Sequence, residues 1–420
     1  MKRHLICFLS IGLMVVAASA QPKPVPVEQY KFVQYKANGL RYDTASRSLN
    51  AFFSKWNRLV NTGQGNLNIV HIGGSHVQAG TMSNTVRTNI MRAYPELVGG
   101  RGMLFPYSAA ARCNNPSDYR VHCPQKVTLT RNIYKEHTYP LGLCGIAVTA
   151  SDMTTEVGIV MNEPSVDYAT SHIVILGHSD EDVVPRLRIA ERSVFPSYVD
   201  KRTDRFVFNL SHPVDSFTIV LPCREHESFT LTGIYLDNRK NGISFHSIGV
   251  NGAAVPDYLR CKNLTRDLRL LHPDLVIFGI GINDASKNPF DTAAFRQNYL
   301  RLIDSIRSVN PDCAFVFITN NDSFRKVRRR RYVVNTNGAL AQKVFYRLAK
   351  ETGGAVWDQF EVMGGLRSME KWAKAGLGQR DRVHFTRTGY QFLGNLFTNA
   401  LFEAVGDYNK RHTNTKSKKR

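Results

Sequence analysis

Residues 66–91 read NLNIVHIGGSHVQAGTMSNTVRTNIM, and the order of residue types in this stretch decides the fold class. Leu67 to Ile72 form a short apolar run of strand character. Gly73 and Gly74 end it, and Ala79, Met82, Val86, Ile90 and Ala93 then recur at spacings of three and four, the period of a helix. Glycines at a strand-to-helix junction permit a tight turn or a close backbone approach. A serine on such a turn can project its hydroxyl beside free backbone N–H groups, as a serine nucleophile requires. The same residues also suit a plain βα turn in which Ser75 caps the helix. His76 either only packs at the helix start or serves the same site.

Upstream, TASRSLNAFFSKWNRLV (residues 44–60) places Leu49, Phe52, Phe53, Trp56 and Val60 on one helical face. From about Arg112 to Asp237 the pattern changes to short runs such as KVTLT, GIAVTA, HIVILG and SFTIVL, separated by polar or Gly/Pro turns. That spacing fits an antiparallel sandwich or jelly roll. From Ser244 strands and helices alternate again: HSIGV, DLVIFGIG, CAFVFIT and AVWDQF are interleaved with helical stretches such as FDTAAFRQNYLRLIDSIRSV. The expected architecture is α/β, a doubly wound parallel sheet with a β-rich module inserted after the first βα unit. The expected division is 21–111 and 238–405 for the α/β domain, 112–237 for the module and 406–420 for a basic tail. The aromatic and methionine residues of VWDQFEVMGG are expected in the core.

Residues 1–20 read as an export signal. Lys2, Arg3 and His4 precede the apolar LICFLSIGLMVVAA, and Ala18-Ser19-Ala20 is a small-residue site with cleavage expected after Ala20. Cys7 lies inside the apolar run, which argues against a lipidated cysteine. The mature chain is therefore expected in the periplasm or otherwise outside the cytoplasm. The formal net charge is +21, of which Lys2 and Arg3 contribute two. Such an excess favours anionic partners: cell-wall polymer, acidic polysaccharide or an anionic envelope surface. Nucleic acid is not expected, because export argues against it and no nucleic-acid motif is present. Much of the charge lies in RKVRRRR (residues 325–331) and KRHTNTKSKKR (410–420), which read as a solvated loop and a disordered end. Of the six remaining cysteines, Cys113 and Cys123 are the pair expected to bridge, the alternative being that most are buried free thiols. No CxxC or HExxH run occurs, so no metal site is expected, nor any organic cofactor.

Three later stretches bear on Ser75. SIGVNGAA (247–254) places Gly252 after a predicted strand, LVIFGIGINDA (275–285) ends another with Asn283-Asp284, and DRVHFTRTGYQ (381–391) sets Asp381 and His384 three apart before the last helix. In a parallel α/β sheet the carboxyl ends of the strands share one edge, where sites form. Taken in order, GGSH, GVNGA, GIND and DRVH resemble the four blocks of an SGNH (GDSL-type) hydrolase. The β-rich insertion and MGGLRSMEKWAKAGLGQRDRVHF (363–385) resemble the Gram-negative peptidoglycan O-acetylesterases within that superfamily. The resemblance implies Ser75 as nucleophile, His384 as base, and Asp381 as its orienting partner. It further implies an oxyanion hole from Ser75, Gly252 and Asn283. One departure stands out: the family places an aspartate before the nucleophile, where this chain has Gly74. By this resemblance the chain is an exported serine esterase acting on an O-acetylated glycan or cell-wall polymer. Other ester hydrolysis, acetyl transfer to a glycan and non-catalytic glycan binding remain as alternatives.

Overall fold

The computed structural model describes residues 22–110, 113–137, 139–179, 181–328 and 331–417. The signal-peptide reading, Cys7 included, and residues 418–420 of the tail lie outside them. A seven-stranded sheet orders its strands Leu40–Tyr42, Ala355–Trp357, Ala314–Ile318, Leu275–Gly279, Asn66–Gly73, Gly242–Gly249 and Val98–Gly100. Every pairing is parallel except that of the Leu40–Tyr42 edge strand with Ala355–Trp357. Parallel strands are covered on both faces and so carry near-continuous apolar runs. Ile69, Val70, Ile277, Phe278, Val316 and Phe317 are all buried accordingly.

One face of the sheet packs against helices Arg47–Thr62, Thr81–Ala93 and Arg387–Ser417. The first of these starts where Ser46 accepts a hydrogen bond from the Leu49 N–H, and stops at Gly63 in the left-handed conformation. The other face packs against Leu264–Leu271, Thr292–Arg307 and Asn337–Thr352. The same apolar cluster continues without a break into the inserted module. Trp357, Phe360 and Met363 of VWDQFEVMGG are buried.

The module consists of two antiparallel sheets, one of five strands and one of seven. Their inward residues, among them Val157, Ile159, Ile219, Ile175, Phe208 and Leu231, share one core. Along Thr154–Met161 the buried positions are Thr155, Val157 and Ile159, the period-two pattern of a strand with one covered face. Gly102–Leu104 joins the larger module sheet by pairing with Ile234–Leu236, so the chain enters that sheet before residue 112.

Three sequence expectations need correction. All six cysteines are free, so Cys113 and Cys123 form no bridge. Cys113 is buried against the Gln78 amide, while the Tyr119–His122 strand, rising about 3.3 Å per residue, carries Cys123 away. Within the basic run, residues 325–328 and Arg331 lie in strands rather than a loop: Phe324–Arg328 pairs antiparallel with Arg331–Val334, whose Tyr332, Val333 and Val334 favour strand. The tail is not an irregular end either, since the last helix continues to Ser417.

A buried charge cluster fastens the module to the α/β domain. Asp118 accepts from Arg101 Nε at 2.5 Å and from Arg87 at 3.1 Å, with all three side chains about 1% exposed. Arg87 also donates to the Phe245 carbonyl, and Arg101 to that of Met103. Burial alone would push the Asp118 carboxyl up, but the two guanidinium groups outweigh it and hold the acid below its ordinary range. Removing one partner of such a cluster leaves uncompensated charge in an apolar interior. Asp118→Asn is therefore expected to destabilise the chain by about 3–5 kcal/mol in urea unfolding, whereas a change under about 1 kcal/mol would show the cluster to be dispensable.

Candidate active site

The geometry starts from three glycines in register. Gly73 lies opposite Gly249 on one side and Gly279 on the other, so a row without side chains crosses three adjacent strand ends. A Cβ at Gly73 would lie 2.2 Å from Val77 Cγ2, and one at Gly249 would lie 2.3 Å from the Gln78 N. The turn bearing Ser75 can therefore rest directly on the sheet edge. Ser75–Gln78 makes a single helical turn after Gly74, and Gly80, in the left-handed conformation, separates it from the long helix Thr81–Ala93. The sequence periodicity ran through this break, because Ala79 and Met82 keep helical spacing across it. As the first helical residue, Ser75 has an N–H with no intrahelical acceptor.

Ser75 Oγ lies 2.8 Å from His384 Nε2, and His384 Nδ1 lies 2.6 Å from Asp381 Oδ2. The other Asp381 oxygen accepts from the backbone N–H groups of Val383 and His384, each at 3.0 Å. Burial works against the Asp381 charge, but His384 and the two N–H groups overcome it and hold the carboxyl well below the ordinary range. The tight turn between acid and base forces Arg382 to φ +57°, the left-handed region that non-glycine residues rarely adopt. Its guanidinium lies over the rings of Phe324 and Tyr332 and pairs with Glu370.

Ser75, Gly252, Asn283 and His384 line one cavity of about 450 Å³, together with Gln78, Asn114, Gln379 and Tyr390. Gly252 has φ +83° with almost nothing near its missing Cβ, so conformation rather than space demands glycine there. The Asn283 amide donates to the Ala253 carbonyl at 2.9 Å, which leaves its second N–H for the cavity. The structure thus brings all five sequence-derived site residues together.

Three supporting residues, Gln78, Asp284 and Tyr390, had no assigned role in the sequence, and His76 had two open readings. Gln78 accepts from the Asn251 N–H at 2.7 Å and donates to the Asn114 carbonyl at 3.3 Å, joining the Gly252 loop to the module. The Asp284 carboxylate accepts from the Val255 N–H, tying the same loop to Asn283. Burial pushes Asp284 up to about 6, and the bond from Val255 opposes the shift. Tyr390 OH meets His76 Nδ1 at 2.8 Å, and the His76 ring packs against that of His384 with centroids 5.1 Å apart. His76 therefore supports the base from behind. Its neighbour spacing in GGSH carried no sign of that, since the contact spans more than three hundred residues. Among the described residues, no three His, Cys, Asp or Glu side chains gather as a metal-binding group.

No curated protein sequence matches the chain at a significant level. Residues 230–392 match the GDSL-like lipase/acylhydrolase family. Over those residues, which carry Gly252, Asn283, Asp381 and His384, the chain is similar to the GDSL-like acylhydrolases. Among solved structures, a peptidoglycan O-acetylesterase is similar at a TM-score of 0.71 and 19% identity, over 88% of this chain and 99% of that one. At that identity the likeness is one of fold. An acetyl xylan esterase is similar at a TM-score of 0.30 and 19% identity, over 38% of this chain and 81% of that one. A family two carbohydrate esterase from Cellvibrio japonicus is similar at a TM-score of 0.29 and 11% identity, over 69% and 99%.

The surroundings of Ser75 generate two predictions. A Cβ at Gly74 would sit 3.3 Å from the Asn283 amide nitrogen and 3.4 Å from the Ala253 carbonyl oxygen. From the sequence alone, Gly74→Asp should raise activity or leave it unchanged. The structure favours the opposite sign, because the Asn283 amide must give by a few tenths of an ångström and the carboxylate would stand beside the Ala253 carbonyl. Gly74→Asp should lower kcat on a small acetyl ester by about tenfold, and an increase would show that Asn283 tolerates the shift.

The second concerns acid. His71 and His246 are buried and His76 is part-buried, and desolvation is the largest cause pushing each down to about 3 from 6.5, with the Arg87 guanidinium adding to it at His71 and His246. The unfolded chain binds these protons first, so stability rises with pH through this window. The contribution is complete above about pH 6.5 and is lost as pH falls toward 3. Chemical-denaturation midpoints measured across that range should fall steadily on acidification. A flat profile would contradict the burial of the three neutral imidazoles.

Proposed function

We propose that this esterase is exported and removes O-acetyl groups from peptidoglycan or a related glycan through an acetyl-enzyme on Ser75. The observation that carries the chemistry is the relay Ser75–His384–Asp381, opening into the cavity that Gly252 and Asn283 also line. What favours a glycan is the module: its Asn114 forms part of that cavity wall, and a solved peptidoglycan O-acetylesterase shares the two-part fold over nearly its whole length.

In this mechanism Ser75 Oγ attacks the acetyl carbonyl while its proton passes to His384 Nε2. Asp381 holds the Nδ1 proton and stabilises the imidazolium. The carbonyl π pair moves onto oxygen, where the Ser75 and Gly252 N–H groups and the Asn283 amide donate to it. Collapse breaks the bond to the sugar oxygen, which leaves with the proton from His384. A water then gives its proton to His384 and attacks the acetyl-serine, releasing acetate and restoring the hydroxyl.

The direct test is acetate release from O-acetylated peptidoglycan, with and without added sugar acceptors. Wild type should release acetate without needing an acceptor, while transfer to the acceptor at the expense of free acetate would make the chain a transferase. Ser75→Ala should abolish turnover of polymer and small esters with the fold intact. Asn283→Ala should lower kcat by about 10²-fold with a smaller change in KM, since its bond strengthens in the transition state. A pure KM effect would make Asn283 a ground-state contact instead.

A further inference from the structure

The two-stranded ribbon built from Phe324–Arg328 and Arg331–Val334 is attached to the catalytic loop itself. The Phe324 N–H donates to the Arg382 carbonyl at 3.1 Å, and Arg382 lies between Asp381 and His384 in sequence. The Arg382 guanidinium covers Phe324 at 5.0 Å and Tyr332 at 5.5 Å, one ring from each strand. At the other side of the base, the Asn335 N–H donates to the Ser323 carbonyl. The base of the ribbon is thus packed and hydrogen-bonded, whereas Lys326, Val327, Arg328 and Arg331 further out are exposed.

The outer half is arranged against its own stability. An isolated two-stranded ribbon is marginal in water, and like charges directly opposite one another weaken it further. Here Arg328 lies directly opposite Arg331, with Arg325 and Lys326 preceding them on the first strand. None of the four cations forms an ion pair among the described residues. An anion supplied from outside would relieve that repulsion.

We infer that this ribbon is a docking arm for carboxylates carried by the polymer substrate, placing the acetylated sugar at the mouth of the Ser75 cavity. The inference rests on the glycan esterase reading above and adds the class of polymer: one with regularly spaced free carboxylates, such as those of peptidoglycan stem peptides. Attachment to the Asp381–His384 turn favours the substrate over a distant surface as occupant, because whatever binds the ribbon is held beside the reacting groups. The field of clustered cations also raises the local concentration of an anionic chain.

The test compares insoluble O-acetylated peptidoglycan with free stem carboxylates against the same polymer amidated at those carboxylates. In pelleting assays at low salt, wild-type affinity should fall about tenfold on amidation, the order expected of a few weak ion pairs at the surface. The variant Arg325→Thr/Lys326→Thr/Arg328→Thr/Arg331→Thr keeps strand-forming residues, and should bind both polymers as weakly as wild type binds the amidated one. These differences should vanish near 1 M salt, where screening acts over about 3 Å. On the free-carboxylate polymer the variant should raise KM with kcat held, and should hydrolyse a small uncharged acetyl ester as wild type does.

Equal wild-type binding to both polymers overturns the inference, and so does a variant that remains sensitive to amidation. Preferential wild-type binding to phosphatidylglycerol vesicles over polymer, lost in the variant, also overturns it by assigning the ribbon to a membrane surface. The wild-type amidation comparison needs no variant, so a misfolded ribbon cannot obscure the result. Carboxylate-dependent binding without any acetate release would leave the ribbon assignment standing and defeat the esterase substrate reading instead.

Discussion

Backbone approach at one sheet edge governs the rest of the site. Where Gly73, Gly249 and Gly279 stand in register, no side chain lifts the following turn away from the strands. Val77 and Gln78 settle into the space that Cβ atoms would occupy. The position of Gln78 then fixes the Asn251–Gly252 segment from one side, and Asp284 fixes its far end through Val255. A single methyl in that row would move the nucleophile, and with it the loop opposite. Interiors are packed too densely to absorb such a displacement locally.

The catalytic half of this arrangement was legible because its signals are local. GGSH, GVNGA, GIND and DRVH each end a strand or begin a helix, and the carboxyl edge of a parallel sheet gathers such ends without further information. Short β-type runs such as HIVILG and SFTIVL, separated by turns, likewise announced the antiparallel module. The features that escaped depend on contacts between distant segments. Cys113 and Cys123 are close in sequence, yet an intervening strand holds them apart. The support that Tyr390 gives His76, and the crowding of Gly74 by Asn283 and Ala253, both require knowing which loops face one another. Charge density hid the strand character of residues 325–328 and of Arg331, since periodicity is hard to see when almost every residue is a cation.

The acid–base pair shows a division of labour between strain and support. A three-residue separation lets Asp381 grip both the ring and the backbone N–H of His384. The cost falls on Arg382, whose left-handed backbone is offset by ring contacts and by Glu370. Residues whose own backbone is unremarkable, His76 and Tyr390, occupy the space behind the imidazole.

The apolar cluster running from the central strands into the module has a consequence for how the chain can be taken apart. A binding domain joined by a linker can be excised, exchanged as a cassette, or clipped off by a protease with both pieces surviving. Here a cut in any surface loop of the module would leave its sheets seated on the enzyme, with Arg87 and Arg101 still closed around Asp118. Removing the module outright would instead take Asp118 away and leave Arg87 and Arg101 as uncompensated charges in the scaffold that carries the nucleophile. The two parts are therefore inherited, engineered and degraded as one object.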